Sequence, residues 1–207
     1  MPAGLFGLEG YWCYWHGEKA YSGIGLHVSK AFAAASPVCT HPEFNFENRI
    51  AAVELGDLTV ASVYVPNGGK DYPAKLRFLE ALDAYAESFA GTARRLVLCG
   101  DLNVALTDRD VHAKERKAKA IGQQPEEREL MARILGRGLV DVQRQLYPDS
   151  DDVFTWWPPW RDMRKRNIGW RIDYIFASTA LAATATSCPV LAEIGTSDHA
   201  PVMATFG

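Results

Sequence analysis

Apolar residues form short runs along most of the chain, a pattern typical of β-strands. The runs lie at 24–28, 50–55, 58–65, 96–99, 154–157, 172–177 and 202–206. Gly56-Asp57 separates the second run from the third, which predicts a tight β-hairpin. The pattern therefore predicts a protein built largely on strands.

Two segments have helical spacing instead. Pro73 suits the first turn of a helix, and apolar residues recur after it at intervals of three from 76 to 85. Pro125 opens a second helix, which two glycines end at 136–138. Hairpins mixed with a few helices favour an α+β domain over a doubly wound parallel sheet. Neither a GxGxxG nor a GxxxxGK[ST] motif occurs, so no nucleotide-binding loop is predicted.

Composition indicates one domain over residues 1–207, since 207 residues with 48% hydrophobic positions supply a single sizeable core. The net charge of −3 excludes a uniformly basic protein. Positive charge is nevertheless concentrated at 109–119, with net charge +3, and at 161–171, with net charge +4. Two such stretches indicate a polyanionic ligand held at one place, and two solvated loops are the alternative.

The cysteines, the amino terminus and the longest uncharged segment indicate where in the cell the protein is found. The 4 cysteines are widely scattered, which predicts reduced thiols in a cytoplasmic protein. The amino terminus lacks the features of a secretory signal. Residues 174–192 carry no charge, but several Ser and Thr residues and Pro189 interrupt them, so no membrane span is predicted.

The motif CGDLN places Asp101 and Asn103 at the end of a predicted strand. Alternation would put both side chains on the same face. A carboxylate beside an amide can orient a water molecule, ligate a hard cation or hydrogen-bond a phosphate. Ordinary turn chemistry is the alternative, because Gly, Asp and Asn are common turn residues.

A second candidate site is the acid–imidazole pair in TSDHAP, where Asp198 and His199 precede a predicted strand. This combination suits phosphoryl chemistry. Asp173, inside the run NIGWRIDY, needs a partner if it points inward. Either His199 or Arg171 could supply that partner. Tyr64, at the end of the hairpin in VYVPNG, is either a phosphate ligand or a core residue.

The motifs VYVPNG, CGDLN, NIGWRIDY and SDHAP, in this order, closely resemble the exodeoxyribonuclease III family of abasic-site DNA endonucleases, within the wider endonuclease/exonuclease/phosphatase group. The resemblance extends over nearly the whole chain. It implies a four-layer α/β/β/α sandwich of two mixed sheets. It also implies a Mg²⁺-dependent phosphodiesterase, with Mn²⁺ as a substitute, that acts on duplex DNA at abasic sites or 3′ ends.

The resemblance assigns a role to each candidate residue. Asp101 would activate the attacking water, and Asn103 and Tyr64 would hydrogen-bond the scissile phosphate. His199 would contact a phosphate oxygen, with Asp173 orienting its ring. The predicted metal site takes in four side chains, those of Asp101, Asn103, Asp198 and His199.

DNA contacts follow from the same resemblance. Trp156 and Trp170 would line a pocket for an extruded sugar without a base, although a tryptophan cluster is also a common core feature. The other predicted DNA-binding residues are polar or basic and would contact phosphates. They are Asn67, Lys114, Arg116, Lys117, Arg164, Arg166 and Asn167. We expect a nucleoid-associated monomer.

The chain departs from the family at its start. It begins after the two family strands that carry an Asn and the glutamate that is the main Mg²⁺ ligand. We therefore expect a sandwich that is incomplete at the amino terminus and weaker Mg²⁺ binding. Three interpretations stay open. The assigned start is an internal Met, which we favour; or the chain is a truncated DNA-binding paralogue; or it retains weak activity through Asp101 and Asp198.

Two further hypotheses compete with a nuclease. A phospholipid or inositol-phosphate phosphodiesterase would share the GDxN and SDHxP motifs but would not explain NIGWRIDY or the basic stretches. A DNA-binding remnant would bind duplex in the absence of metal and would not cleave it.

Overall fold

The computed structural model of the protein describes residues 7–18, 22–44 and 46–207. The amino-terminal segment, for which the sequence predicts no secretory signal, is described only from Gly7 onward. No helix in this part of the chain is both long and apolar enough to span a bilayer.

The strands are short, and most follow the apolar runs of the sequence. They are β1 (Tyr11–Glu18), β2 (Ser22–Ser29), β3 (Val38–Thr40), β4 (Ile50–Leu55), β5 (Leu58–Tyr64), β6 (Arg95–Asp101), β7 (Leu139–Asp141), β8 (Asp173–Ser178), β9 (Ala185–Ser187) and β10 (Thr205–Phe206). The helices are α1 (Tyr72–Glu87), α2 (Pro125–Gly136), α3 (Val142–Leu146) and α4 (Thr179–Ala182).

Six strands form one mixed sheet in the order β3-β4-β5-β6-β8-β7. Strands β5 and β6 run parallel, whereas β6 and β8 are antiparallel. The pairs β1-β2 and β9-β10 are separate antiparallel ribbons. The α+β class predicted from the sequence is confirmed, with the described residues forming one large mixed sheet and two strand pairs.

The predicted hairpin and both predicted helices are confirmed. Strands β4 and β5 pair across Gly56-Asp57, with Leu55 opposite Leu58. Helix α1 begins at Tyr72, and Asp71 caps it by accepting a hydrogen bond from the Ala74 N–H at 2.8 Å. Helix α2 begins at Pro125, as the sequence predicts.

Two strand predictions are wrong in part, and the strand β1 and several short elements are additional. Residues 154–157 form isolated bridges instead of a strand, and of 202–206 only Thr205–Phe206 is a strand. Segments this short, such as β7 and β9, carry too few residues for periodicity to identify.

Each face of the large sheet has its own apolar core. On one face, sheet residues such as Leu96, Leu98 and Phe176 pack against α1 and α2. On the other face, Val97 and Ala177 pack with residues of α3, α4 and the β9-β10 pair. Alternation along β6 thus sends odd-numbered side chains to the second face, and Asp101 is the last of them.

A buried ion network fixes the segment that leads into β8. The Arg171 side chain is 2% exposed; its Nε lies 2.7 Å from Asp110 Oδ1 and its Nη1 2.8 Å from Asp141 Oδ2. Arg144 also donates to Asp110 Oδ1, at 2.9 Å. Of the two partners considered for Asp173, Arg171 is therefore excluded, because its guanidinium is engaged elsewhere.

This network predicts a specific acid sensitivity. Burial alone would raise the pKa of Asp110, but the charges and hydrogen bonds of Arg171, Thr107 and Arg144 outweigh it and lower the pKa. A lowered folded-state pKa contributes stability above the unfolded pKa of about 3.9, and that stability is lost as the pH falls through the folded value. Asp110→Asn should reduce the free energy of unfolding at pH 7 by about 3–5 kcal/mol.

Denaturant unfolding between pH 2 and 7 measures both effects. The matched control is Asp151→Asn, which breaks the exposed Arg109–Asp151 pair and should cost at most about 1 kcal/mol. Equal acid dependence in wild type and Asp110→Asn would contradict the assignment.

Candidate active site

Three strand ends bring the first candidate residues into one row. Tyr64 on β5 is the register partner of Asp101 on β6, and Asp101 is the register partner of Asp173 on β8. Register partners on neighbouring strands project from the same face of a sheet. The three side chains therefore lie side by side, although Tyr64 and Asp173 are far apart in the chain.

Gly100 makes this row possible. Its φ is +132°, and a Cβ at this position would lie 2.0 Å from the carbonyl oxygen of Val63. Only glycine fits so close to the neighbouring backbone. The glycine of CGDLN thus allows β6 to reach β5 just before Asp101.

Asp101 and Asn103 are joined by a turn instead of by strand alternation. Strand β6 ends at Asp101, and Asn103 lies beyond it with φ +51°. The Asn103 N–H donates to Asp101 Oδ1 at 2.9 Å, and the Asn103 amide donates to Asp101 Oδ2 at 3.0 Å and to the Val65 carbonyl at 2.9 Å. The turn interpretation and the functional interpretation are therefore compatible, because the turn itself brings the amide to the carboxylate.

His199 pairs with Asp173. Its Nδ1 lies 2.9 Å from Asp173 Oδ2, and because a carboxylate only accepts, Nδ1 carries the proton. Burial alone would lower the pKa of His199, but the hydrogen bond and charge of Asp173, with the charges of Asp101 and Asp198, raise it. The ring is therefore held in a fixed orientation and favours the cationic form, with Nε2 available to a ligand.

Asp101 has a pKa of about 7, well above the ordinary aspartate value. Burial is the main cause, and the neighbouring charge of Asp173 raises the pKa further. His199, the Asn103 backbone and Lys75 act in the opposite direction. A carboxylate with a pKa near neutrality can take up and release a proton in the physiological range.

A cavity of about 220 Å³ lies over these groups. Its polar lining comes from Tyr64, Asn67, Asp101, Asn103 and His199. Four apolar or aromatic side chains complete the wall: Ile121, Trp156, Trp170 and Ile172. The two tryptophans meet edge to face, with ring centroids 5.9 Å apart. The cavity thus combines polar and charged groups with an apolar, largely aromatic wall.

Sequence reasoning missed Ile121 and Ile172 as cavity residues, because neither side chain carries a charged or reactive group that would single it out. It also gave no role to the indole N–H of Trp170, which is buried and has no hydrogen-bond partner among the described residues. Such a donor is costly unless a ligand or water accepts from it.

The segment 154–157 connects the loop that carries His199 with the residues leading into β8. Trp156 exchanges backbone hydrogen bonds with Trp170 at 2.8 and 2.9 Å, and it also bridges to His199. The buried hydroxyl of Thr155 accepts from the backbone N–H groups of Ile172 and Asp173, both at 3.0 Å. The segment predicted as a strand is thus the link that holds the His199 loop against β8.

Asp198 faces away from this row. Its carboxylate accepts a hydrogen bond from Trp156 Nε1 at 3.0 Å, and the residue borders a separate cavity of about 600 Å³. Burial alone would raise the pKa of Asp198, but hydrogen bonds from Trp156, its own backbone and Ser197, with the charge of His199, lower it. Asp198 thus supports the tryptophan wall.

The residues predicted to hold Mg²⁺ do not make a complete metal site. Asp101, Asn103 and His199 line one cavity, whereas Asp198 is engaged by Trp156. The described residues contain no group of three His, Cys, Asp or Glu side chains placed to hold a metal ion. The donor set of the described residues therefore does not fit a full coordination sphere.

The predicted DNA-binding residues fall into two groups. Lys114, Arg116 and Lys117 are exposed on the segment that follows β6. Asn167 is used internally, since its amide donates to the Asp152 carbonyl at 2.9 Å and accepts from Trp157 Nε1 at 3.1 Å. Arg166 is exposed.

Arg164 differs from the expectation of a phosphate ligand. Its guanidinium donates to the carbonyl oxygens of Ser197 at 2.5 Å, Ile194 at 2.7 Å and Ala192 at 3.0 Å, and it lies over the Trp157 ring at 4.6 Å. These contacts tie the loop before His199 to the tryptophan segment. The geometry supports loop anchoring and leaves little of the guanidinium for a phosphate.

Replacing this arginine should therefore loosen the loop. In Arg164→Ala, we expect amide hydrogen exchange in residues 192–199 to rise about tenfold or more, because hydrogen bonds from a charged donor contribute about 1.5–3 kcal/mol. Arg166→Ala is the matched control and should leave exchange in this loop unchanged. Equal exchange in both variants would show that Arg164 does not anchor the loop.

A half-buried row of acids, an imidazole held by one of them and a small half-apolar cavity together define a hydrolytic site for an anionic group. Residues 2–199 match the Endonuclease/Exonuclease/phosphatase family, and the chain belongs to that family. The resemblance to exodeoxyribonuclease III found from the motifs is confirmed.

Relatives and a solved structure agree with this assignment. The chain is 32% identical over 201 residues to an exodeoxyribonuclease of Bacillus subtilis, which covers 94% of this chain and 79% of that protein. It is 30% identical over 209 residues to the DNA repair nuclease APEX1 of Danio rerio, covering 98% of this chain and 67% of that protein. The 3′ phosphatase NExo from Neisseria, bound to a product DNA hairpin, superposes with a TM-score of 0.88 at 29% identity, covering 100% of this chain and 83% of that one.

Proposed function

We propose that this protein is a DNA-repair phosphodiesterase that cleaves the backbone of duplex DNA 5′ to abasic sites or removes nucleotides from 3′ ends. The observation that carries the proposal is the convergence of Tyr64, Asp101, Asn103 and the His199–Asp173 pair on one cavity. The relatives named above act in DNA repair or on DNA, and they support this substrate class.

Asp101 is the proposed base. With a pKa of about 7, it can accept a proton from a water molecule in the cavity and orient the oxygen toward phosphorus. The water oxygen forms the new bond to phosphorus as its proton passes to Asp101, the bond to the 3′ oxygen breaks, and the departing 3′ oxygen takes a proton from solvent. The products are a 3′-hydroxyl and a 5′-phosphate.

His199 and Tyr64 are the proposed ligands of the phosphate. A cationic imidazole fixed by Asp173 opposes the negative charge that develops on a non-bridging oxygen, and it needs no reorganisation as the charge grows. The Tyr64 hydroxyl can donate to a second oxygen. Asn103 directs its amide hydrogens to Asp101 and Val65, so its proposed contribution is to hold Asp101 in place.

The tryptophan wall supports an abasic substrate. A deoxyribose without a base is small and presents carbon atoms to Trp156, Trp170 and Ile172. A cavity of about 220 Å³ has limited room for a nucleotide with its base. A DNA substrate would also place the protein at the nucleoid, and the proposal requires only one copy of the chain.

The direct test is incubation of the purified protein with three duplexes: one with an abasic site, one intact with a recessed 3′ end, and one intact and blunt. Each is run with Mg²⁺, with Mn²⁺ and with EDTA, because the metal stays a prediction from the resemblance. Incision 5′ to the abasic site that leaves a 3′-hydroxyl supports the proposal. Duplex binding with no cleavage under any condition would contradict it and support a DNA-binding paralogue.

His199→Ala should lower the turnover number on the abasic duplex about 10²–10³-fold, the usual effect of removing a donor that stabilises transition-state charge. DNA affinity should change little, because backbone contacts outside the cavity supply most of it. Turnover and binding are measured separately, with thermal unfolding as the control for folding. A variant that loses binding and melts early would show that His199 is structural.

The exposed lysines after β6 predict salt-dependent binding. Lys117→Ala should make the slope of log K against log[salt] shallower by about 1, because one fewer phosphate is neutralised. The control is Arg95→Ala at the opposite end of β6, about 20 Å from Asp101 by strand length. Binding is measured in EDTA by fluorescence anisotropy. Equal salt slopes in Lys117→Ala and Arg95→Ala would show that Lys117 does not contact a DNA phosphate.

A further inference from the structure

A buried lysine lies directly behind the candidate site. Lys75 is on α1, and its side chain is 0% exposed. Its Nζ donates to the backbone carbonyl of Asn103 at 2.7 Å and lies 2.5 Å from Glu127 Oε1 on α2. The Glu127 side chain is also 0% exposed, so the cation and its counter-ion are both withdrawn from water.

The Lys75–Glu127 pair connects the loops that surround the cavity. Glu127 also accepts the N–H of Gly122 at 2.7 Å and of Gln124 at 2.9 Å. Gly122 in turn accepts a hydrogen bond from the Ala105 N–H at 2.8 Å. The loop after β6 and the start of α2 are therefore both hydrogen-bonded to the Lys75–Glu127 ion pair.

The loop that carries Asn67 packs on the same lysine. A Cβ added to Gly68, whose φ is +89°, would lie 2.9 Å from Lys75 Cδ. The Asn67 amide donates to Asn103 Oδ1 at 3.3 Å. The aliphatic part of Lys75 thus packs beneath the loop that carries Asn67, and its Nζ binds the carbonyl of Asn103.

Asn103 needs such an anchor. Its φ of +51° is a left-handed conformation that costs a residue other than glycine of order 1 kcal/mol or more. Its contacts with Asp101 and Val65 come from the same sheet edge, so they do not fix that edge relative to the helices. The Lys75 hydrogen bond joins the Asn103 carbonyl to the helix layer.

Core stability does not require an ion pair here. Burying two charges is expensive, and well-packed apolar residues of similar volume often serve a core as well or better. The second partner of the Lys75 ammonium group is the carbonyl of Asn103, a site residue, so the position of the ammonium group bears on the geometry of the cavity.

We propose that Lys75 is a positioning residue that holds the Asn103 turn, and through it Asp101, in the geometry required for the phosphodiesterase reaction. This inference rests on the proposed function for its activity readout. A second readout, hydrogen exchange at residues 102–105, does not depend on activity.

The test uses a pair of substitutions that separates stability from positioning. Lys75→Met alone leaves Glu127 as an unpaired buried carboxylate and should destabilise the fold. Adding Glu127→Gln removes that charge and keeps an acceptor for the Gly122 and Gln124 N–H groups, so stability should largely return. Glu127→Gln alone loses stability but keeps the Lys75–Asn103 hydrogen bond.

We expect the double variant to lose kcat about 10–100-fold with KM within about twofold of wild type, because small misplacements of reacting groups have effects of this size. Exchange at 102–105 should increase in the double variant and stay near wild type in Glu127→Gln. All rates are measured at a temperature at which circular dichroism shows each variant folded.

The matched control is a second, partly buried ion pair between α1 and the end of α2. Asp83 on α1 is 2% exposed, and Arg137, at the end of α2, lies 2.8 Å from it. Arg137→Gln should lower stability without changing kcat or the exchange at 102–105. Arg137→Gln thus measures the effect on stability of losing an ion pair that links α1 and α2 away from the cavity.

Three results overturn the inference. The first is a folded double variant with kcat and exchange at 102–105 like those of Arg137→Gln. The second is a Glu127→Gln variant that loses kcat as much as the double variant. The third is fast amide hydrogen exchange at residues 102–105 in Glu127→Gln, which keeps the Lys75–Asn103 hydrogen bond. Fast exchange there would show that this bond does not hold the turn, and this result decides the question if the double variant does not fold. If wild type cleaves none of the duplexes, the proposed function fails while the exchange readout still decides the anchor.

Discussion

Two carboxylates, Asp101 and Asp173, lie next to each other at one end of a largely buried sheet face, and their mutual repulsion shapes the site. One imidazole, that of His199, lies between the sheet and the cavity and pairs directly with Asp173. Asp101 is left with partial compensation from its other neighbours, and burial, with the charge of Asp173, raises its pKa to about 7. The pairing thus gives the two acids different surroundings, with Asp173 bonded to the ring of His199 and Asp101 left without a direct cationic partner on the sheet edge, which suits the role of base proposed for Asp101.

The close approach of the strands at Gly100 imposes this arrangement. Because β5 and β6 meet there without a side chain between them, Tyr64 and Asp101 end up in one row. The apolar rows below, which include Val97 and Ala177, bury the same face and exclude water from beneath the polar row. The electrostatic character of the site therefore depends on packing further down the sheet.

Much of the site could be predicted, because its chemistry lies in contiguous motifs at strand ends. Asp101 and Asn103 share one motif, although the turn that joins them differs from the expected alternation. Lys75 was not predicted, even though its spacing with Leu79 and Leu82 places it on the buried face of α1. A lysine at such a position is usually explained by a stem that extends to solvent, and its partner Glu127 lies on another helix. Periodicity cannot reveal a contact of that kind.

The basic stretches show where composition alone fails. Counted along the chain, Arg164, Arg166 and Arg171 belong to one cluster of positive charge. In the structure Arg171 is sealed among acids, Arg164 is bonded to backbone carbonyls, and only Arg166 extends into solvent. An arginine has five donors in a planar fork, so it serves equally well to tie loops together inside a protein or to contact phosphates outside it. Which use prevails depends on the carbonyls and carboxylates that the fold brings within reach, and for two of these three arginines the fold supplies them.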